Sequence, residues 1–270
     1  MGIAVPLALR RLRPDLVHFQ YVVPPLYRGP AVVTVHDLSF ERDPSLMPPW
    51  DRLMFRTLVP RAVRRARRIL TVSARTKRDL EQLYGVTAAR IVVTPNGVDP
   101  RFAPGGEPRD YALFVGAVQA RKDPLAALDA ATEAGLRLVV AGPEKEPELA
   151  RRLRELGADV RGYVGDDELP RLYREASVLV FPSRFEGFGL PVVEAMECGT
   201  PVVASEDAAV REVAGDAAIY AERGELGAAI RRAVAERPQR AAAGLERAKL
   251  FSWADTARRT LEVYEDVLRG

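Results

Sequence analysis

Two glutamates, Glu186 and Glu194, stand eight positions apart around the stretch Phe188-Gly189-Leu190-Pro191. A β-rich run ends at Phe181 just before them, and the proline at 191 suits the first turn of a helix. Free N–H groups at Gly189 and Leu190 then make an anion site with the helix dipole, and the glycine lets a ligand approach the backbone closely. Glu194 is placed in the first turn of that helix. Two carboxylates bracketing a phosphate-seeking helix end suit a ligand with hydroxyls on both sides of a diphosphate. A nucleotide sugar is such a ligand.

Two further sets of residues carry chemistry. In Phe114-Val-Gly-Ala-Val-Gln-Ala-Arg-Lys-Asp-Pro124 a strand ends at Gly116, and two cations, Arg121 and Lys122, follow in a loop before a helix. Fixed cations and helix-end amides together stabilise charge developing on a leaving diphosphate. In Val33-Thr-Val-His-Asp37 a buried strand ends at His36 and Asp37. A histidine at a strand end is more often structural than functional, and spacing alone leaves both readings open for His36 and for His18.

The elements that must position these residues alternate between short β-rich runs and amphipathic stretches, the pattern of parallel sheets wrapped by helices. Strands are predicted over 16–19, 31–35, 69–72 and 91–93, with helices over 3–11, 50–67 and 74–84. Ser73 reads as a helix cap and Gly85 as a stop. The Pro/Gly-dense segment 95–108 reads as a linker. After it come strands over 111–115, 136–141, 160–164, 178–181, 201–204 and 218–220. The last helices are predicted over 226–250, broken at Pro238, and over 253–268. These spans divide the chain into 1–105 and 106–252, with the helix over 253–270 packing back on the first part. In open parallel sheets ligands bind outside the carboxyl ends of the strands, where all three sets of residues fall.

The string Phe-Pro-Ser…Glu-Gly-Phe-Gly-Leu-Pro…Glu-Ala-Met…Gly-Thr-Pro-Val-Val-Ala over 181–204 resembles the Glu-x7-Glu motif of the group 1 retaining GT-B glycosyltransferases. The resemblance extends from about Asp15 onward. It implies an α/β GT-B architecture: two Rossmann-like domains facing a cleft that closes by domain rotation. It further implies transfer of a hexose from a nucleoside diphosphate sugar, GDP-mannose first, to a glycan or lipid-linked acceptor. On this resemblance Glu186 contacts the transferred hexose and Glu194 the ribose hydroxyls. Gly116, Arg121, Lys122 and the stretch Phe188, Gly189 and Leu190 hold the diphosphate. His36 sits beside the sugar and β-phosphate. The region of Arg161, Tyr163 and Val164 seats the base, largely through backbone groups. The rings of Phe185 and Phe188 read as packing. Two departures stand out. Many members carry a basic residue where this chain has Ala117. Relatives also begin with a strand and glycine-rich loop not matched here, so the first domain is expected to be incomplete. A catalytically impaired nucleotide-sugar-binding or scaffold protein is the alternative reading.

Composition narrows the remaining classes. Cys198 is the single cysteine, so no internal disulfide forms. There is no Asp-x-Asp, no Walker-type loop and no GxGxxG, and two histidines with one cysteine make no metal cluster. No metal or other cofactor is expected. Residues 1–80 carry fifteen Lys/Arg against six Asp/Glu, while the rest carries 25 against 31. That asymmetry fits either a solvated Arg-rich surface or peripheral contact with an anionic membrane. The basic stretch has no interleaved aromatics, which argues against nucleic acid. With no apolar run of membrane-spanning length, the expected location is cytoplasmic, with membrane-peripheral contact.

Overall fold

The computed structural model describes residues 4–43 and 47–270. The chain divides into two compact units, 1–97 with 253–270, and 98–252.

The first unit is a four-stranded parallel sheet, β1 (Val17–Gln20), β2 (Ala31–Val35), β3 (Arg68–Thr71) and β4 (Ile91–Val93), in that spatial order. Its helices are α1 (Ala4–Leu12), α2 (Ser39–Arg42), α3 (Pro49–Arg65), α4 (Ala74–Tyr84) and α12 (Trp253–Arg269). All five residues of β2 are buried, as a central parallel strand covered on both faces must be. One face packs Val33, Val35, Ile69 and Leu80 into the main core. The other packs Val32 and Leu70 against Val263 and Val267 of α12. His18 joins that second layer, with Tyr264 Oη 2.5 Å from its Nδ1 and Thr34 Oγ1 2.7 Å from its Nε2. His18 is thus a packed, hydrogen-bonded histidine. Ser73 caps α4 by accepting from Thr76 N–H at 3.1 Å, and left-handed Gly85 ends it.

The second unit is a six-stranded parallel sheet. Its strands are β5 (Arg109–Val115), β6 (Arg137–Ala141), β7 (Asp159–Gly162), β8 (Ala176–Phe181), β9 (Val202–Ala204) and β10 (Ile219–Tyr220). The spatial order is β10-β9-β8-β5-β6-β7. Helices α5 (Pro124–Glu133), α6 (Pro147–Glu155), α7 (Glu168–Glu175), α8 (Leu190–Glu197), α9 (Ala208–Ala214), α10 (Leu226–Ala235) and α11 (Arg237–Ala248) complete it. Ala112, Phe114, Val178 and Val180 lie at the centre of its core, against Ala127 and Ala131 of α5 and Ile230 of α10. The small residues of α5 let that helix sit close to the sheet.

The chain leaves β5 toward β6 on one side and returns through β8 on the other. The carboxyl ends of β5 and β8 are therefore the topological switch point, the place where such sheets bind ligands. The loops after those two strands hold Gly116, Arg121 and Lys122, and Glu186 and Gly189.

Three departures from the sequence reading have a local physical cause. β7 ends at Gly162, two residues before the expected Val164, because Gly162 takes a left-handed conformation (φ 67°) that breaks the extended run. Pro238 does not itself break the last helical stretch: the break falls at Glu236, and Pro238 sits in the first turn of α11, where its missing N–H costs nothing. The short α2 was not anticipated. It forms because Asp37 Oδ1 accepts from both the N–H (3.0 Å) and the hydroxyl (2.8 Å) of Ser39.

Candidate functional site

The two switch-point loops are tied together side chain to side chain. Lys122 Nζ donates to Glu186 Oε1, and both side chains are about nine-tenths buried. Nζ also lies 5.4 Å from the centre of the Phe181 ring, a cation–π contact at the strand end. Arg121 Nη1 donates to the Phe185 carbonyl at 3.1 Å, and with the Gln119 amide turned so that its oxygen faces the guanidinium, Arg121 Nε donates to it at 2.9 Å. Backbone joins the same loops through Arg184 N–H to Arg121 O at 3.0 Å. A cation and a carboxylate thus stand side by side at the carboxyl ends of β5 and β8. The first can meet a phosphate and the second a hydroxyl.

Asp207, which the sequence reading passed over, orders the carboxylate loop from behind. Its Oδ2 accepts from Glu186 N–H at 3.3 Å, while Oδ1 accepts from Ala209 and Val210 N–H at 2.8 and 3.2 Å, capping α9. One buried carboxylate fixes both the helix start and the residue that carries the candidate sugar contact.

Gly116 follows β5 with φ 149° and is pressed against Gly142, the residue after β6. A Cβ on Gly142 would meet Gly116 O at 2.1 Å, so only glycine permits this approach. Gly189 is the N-cap of α8 with φ 106°, and no side chain caps that helix end. The Phe188 ring is buried edge-on against Phe251, with centroids 5.6 Å apart, so the ring is a packing group.

Glu194 requires a correction. It lies in the second turn of α8, because the helix starts at Leu190 and has no acid in its first turn. Tyr173 Oη donates to Glu194 Oε2 at 2.6 Å. Burial raises the Glu194 carboxyl above the usual carboxylate range, and the Tyr173 bond partly offsets this. Tyr173 was not singled out from the sequence, since nothing in its spacing announces a partner 21 residues away.

The residues expected near the base separate. The Arg161 guanidinium is held by Asp159 at 3.0 Å and Glu168 at 3.1 Å, Tyr163 is 80% exposed, and Val164 lies beyond the strand. Their side chains do not converge, which leaves the backbone around Gly162 as the feature of that edge.

In the first unit, His36 follows β2 directly and is half-buried. Its Nε2 lies 2.7 Å from Gln20 Oε1 at the end of β1. An amide oxygen only accepts, so Nε2 carries the proton and Nδ1 the lone pair in the neutral ring. Burial lowers the His36 pKa, partly countered by the Asp37 carboxylate. The Tyr21 ring leans on the imidazole at 5.5 Å between centroids. The Asp37 carboxylate itself is turned to α2. Cys198 is buried, which pushes its thiol up to about 12 and leaves it a packing residue. Among the described residues no group of three or more His, Cys, Asp or Glu could hold a metal ion, and no helix is long and apolar enough to cross a membrane.

Comparison with known proteins meets this geometry. The family profile for glycosyl transferases group 1 matches residues 101–249, and that for Glycosyltransferase Family 4 matches residues 2–102. The O-antigen chain mannosyltransferase B of Escherichia coli is 31% identical over 282 aligned positions, which cover 89% of this chain and 74% of that protein. The D-inositol 3-phosphate glycosyltransferase of Kineococcus radiotolerans is 34% identical over 251 positions. There the match covers 75% of this chain but only 58% of the relative's length. The O-antigen chain mannosyltransferase RfbU of Salmonella typhimurium is 31% identical, with 73% of this chain and 57% of that protein covered. Among solved structures, sucrose-phosphate synthase from Thermosynechococcus elongatus superposes with a TM-score of 0.82 at 21% identity, covering 98% of this chain and 77% of that one. Anabaena HepE in complex with UDP and glucose gives 0.77 at 18% identity, covering 97% and 81%. These structures share the GT-B fold of paired parallel α/β units that the sequence led us to expect. With its motif string, its two sheets and these matches, the chain belongs to the glycosyl transferases group 1 family.

Proposed function

We propose that the chain transfers a hexose from a nucleoside diphosphate sugar to a glycan or lipid-linked acceptor, with retention of anomeric configuration. The Lys122–Glu186 pair at the switch point of the second sheet carries this reading. Lys122, Arg121 and the backbone at Gly189–Leu190 face the diphosphate, whose negative charge grows as the bond to the anomeric carbon breaks. Protein cations and helix-end amides fill this role, so no metal is assigned to it. Glu186 accepts from hexose hydroxyls and Glu194 from those of the ribose. His36, neutral at physiological pH, offers its Nδ1 lone pair to a sugar hydroxyl. The acceptor hydroxyl attacks the face the diphosphate leaves, through an oxocarbenium-like state, and its proton passes to the departing phosphate oxygen.

The O-antigen mannosyltransferases among the relatives favour mannose, which makes GDP-mannose the first donor to test. The solved neighbour bound to UDP and glucose makes UDP-glucose the second. The test is donor-dependent release of free nucleotide in the presence of a cell-envelope acceptor extract. Release that needs both donor and extract, with the sugar recovered on the acceptor in unchanged configuration, is the expected result. Donor binding with no transfer to any acceptor fraction favours the binding-protein reading instead. Inversion at the anomeric carbon overturns the mechanism.

A further inference from the structure

We infer that a hollow at one side of the second sheet is a saccharide subsite, taking a neutral sugar residue of the acceptor glycan. The hollow, about 310 Å³, lies at the carboxyl ends of β8, β9 and β10, where Pro182, Ser205 and Ala221 directly follow those strands. Its floor is apolar, since Ala126, Ala221 and Leu226 are buried. Its rim is charged, since Arg184, Glu206, Glu222 and Arg223 are exposed.

Asp123 fixes that rim. It caps α5 in a left-handed conformation (φ 48°), with Oδ1 accepting from Ala126 N–H at 3.4 Å. Its Oδ2 pairs with Arg223 at 3.2 Å and with Arg184 at 3.7 Å. One mostly buried carboxylate thus spaces two guanidinium groups that come from different loops. Each has five N–H donors and keeps most of them for a ligand. Glu206 is held by Arg211 at 2.6 Å. The Glu222 carboxylate has no ion-pair partner among the described residues.

These groups decide the kind of ligand. Two cations and three carboxylates, Asp123, Glu206 and Glu222, line the hollow, so an anion gains no net attraction there. The two guanidinium groups repel a metal ion. Among the described residues no aromatic side chain lines the hollow, which leaves a nucleobase nothing to stack on. A sugar ring fits: its hydroxyls donate to Glu222 and accept from Arg223 or Arg184, while its C–H face lies on the apolar floor. The hollow is also built on the loops of the Lys122–Glu186 pair. Asp123 directly follows Lys122, and Arg184 precedes Glu186 by two residues, about 7 Å of extended chain. In the sheet it lies on the β10 side of that pair, away from β7, where the resemblance puts the base. A glycan residue held there supplies binding energy remote from the reacting bond, which serves to orient it. The acceptor role rests on the transfer proposed above; saccharide binding does not.

The test is amide hydrogen exchange of the full chain with α-mannotriose, maltotriose or mannose 6-phosphate, read at residues 183–184, 205–206 and 221–226. At least one neutral trisaccharide should protect these residues. Glu222→Gln, which breaks no ion pair, and Arg223→Gln should each weaken that protection about tenfold, the worth of one hydrogen bond to a charged group. Arg231→Gln, whose partner Glu133 does not line the hollow, should leave it unchanged. No protection by either trisaccharide overturns the site, and so does stronger protection by mannose 6-phosphate. In the transfer assay Glu222→Gln should raise the acceptor-extract concentration needed for half-maximal rate about tenfold, with titration by GDP, UDP and ADP unchanged. A loss of nucleotide binding in that variant would mean that the hollow only shapes the donor loops, and overturns the proposal. Protection is read without donor, so its failure stays distinct from a failure of the unmodified chain to bind any nucleotide, which strikes the transferase reading instead.

Discussion

Glu186 and His36 are held in opposite ways. Glu186 is buried and neutralised by Lys122, its loop tied down again by Asp207. His36 is half-buried, neutral and held by one amide oxygen. The first arrangement binds stability and chemistry together, because either partner alone is a stranded buried charge. The second separates them, because an imidazole at a strand end can be lost without opening the core.

The largest expected effect follows from that stranded charge. Lys122→Met leaves Glu186 buried without its cation and should lower the stability of the second unit by about 3–5 kcal/mol in a denaturant melt. The double variant K122M/E186M should recover most of that stability, since a well-packed apolar pair often substitutes without loss, yet remain inactive. Failure to recover would mean that the pair does not act as a unit.

His36→Ala should leave the melt within about 1 kcal/mol of the parent while transfer falls by more than tenfold, the loss of one well-placed hydrogen bond. A melt that falls as far as that of Lys122→Met would erase the contrast. Gln20→Leu should act in the same direction and more weakly, about fivefold, by freeing the tautomer while leaving the ring in place.

A smaller and sharper effect concerns pH. Burial raises the Glu194 carboxyl, so it takes up a proton at higher pH than an exposed glutamate does. An ionised Glu194 accepts from ribose hydroxyls at both oxygens. Nucleotide affinity should therefore fall on acidification through a midpoint above 4.5, the value from which it is raised. Tyr173→Phe removes the hydrogen bond that favours the ionised form and should move that midpoint upward, toward neutral pH. The folded state takes up this proton more readily than the unfolded chain, so Glu194 lowers stability as pH rises through the same window. An unchanged midpoint in Tyr173→Phe would deny the tyrosine that role.

What could be read from the sequence was whatever is local. Strand ends, the glycines at 116 and 189, the helix start at Leu190 and the spacing from Glu186 to Glu194 all lie in short stretches with their own pattern. Partners from distant stretches were not legible. Asp207 reads as an ordinary helix cap, Tyr173 as an apolar helix residue, and Gln20 as a polar strand end, until the fold brings them to Glu186, Glu194 and His36. Gly142 looks like any post-strand glycine until Gly116 O is found against it. Glu194 falls just past the first turn, as the fifth residue of a helix with 3.6 residues per turn, which the start at Leu190 by itself implies.

The switch-point loops should grip a nucleoside diphosphate, and calorimetric titration of the whole chain with GDP, UDP and ADP tests that most directly. One of the three should bind, Glu194→Ala should weaken it, and Glu186→Ala should leave nucleotide binding nearly intact while impairing sugar transfer. No heat from any of the three, or the reverse pattern in the two variants, would contradict it.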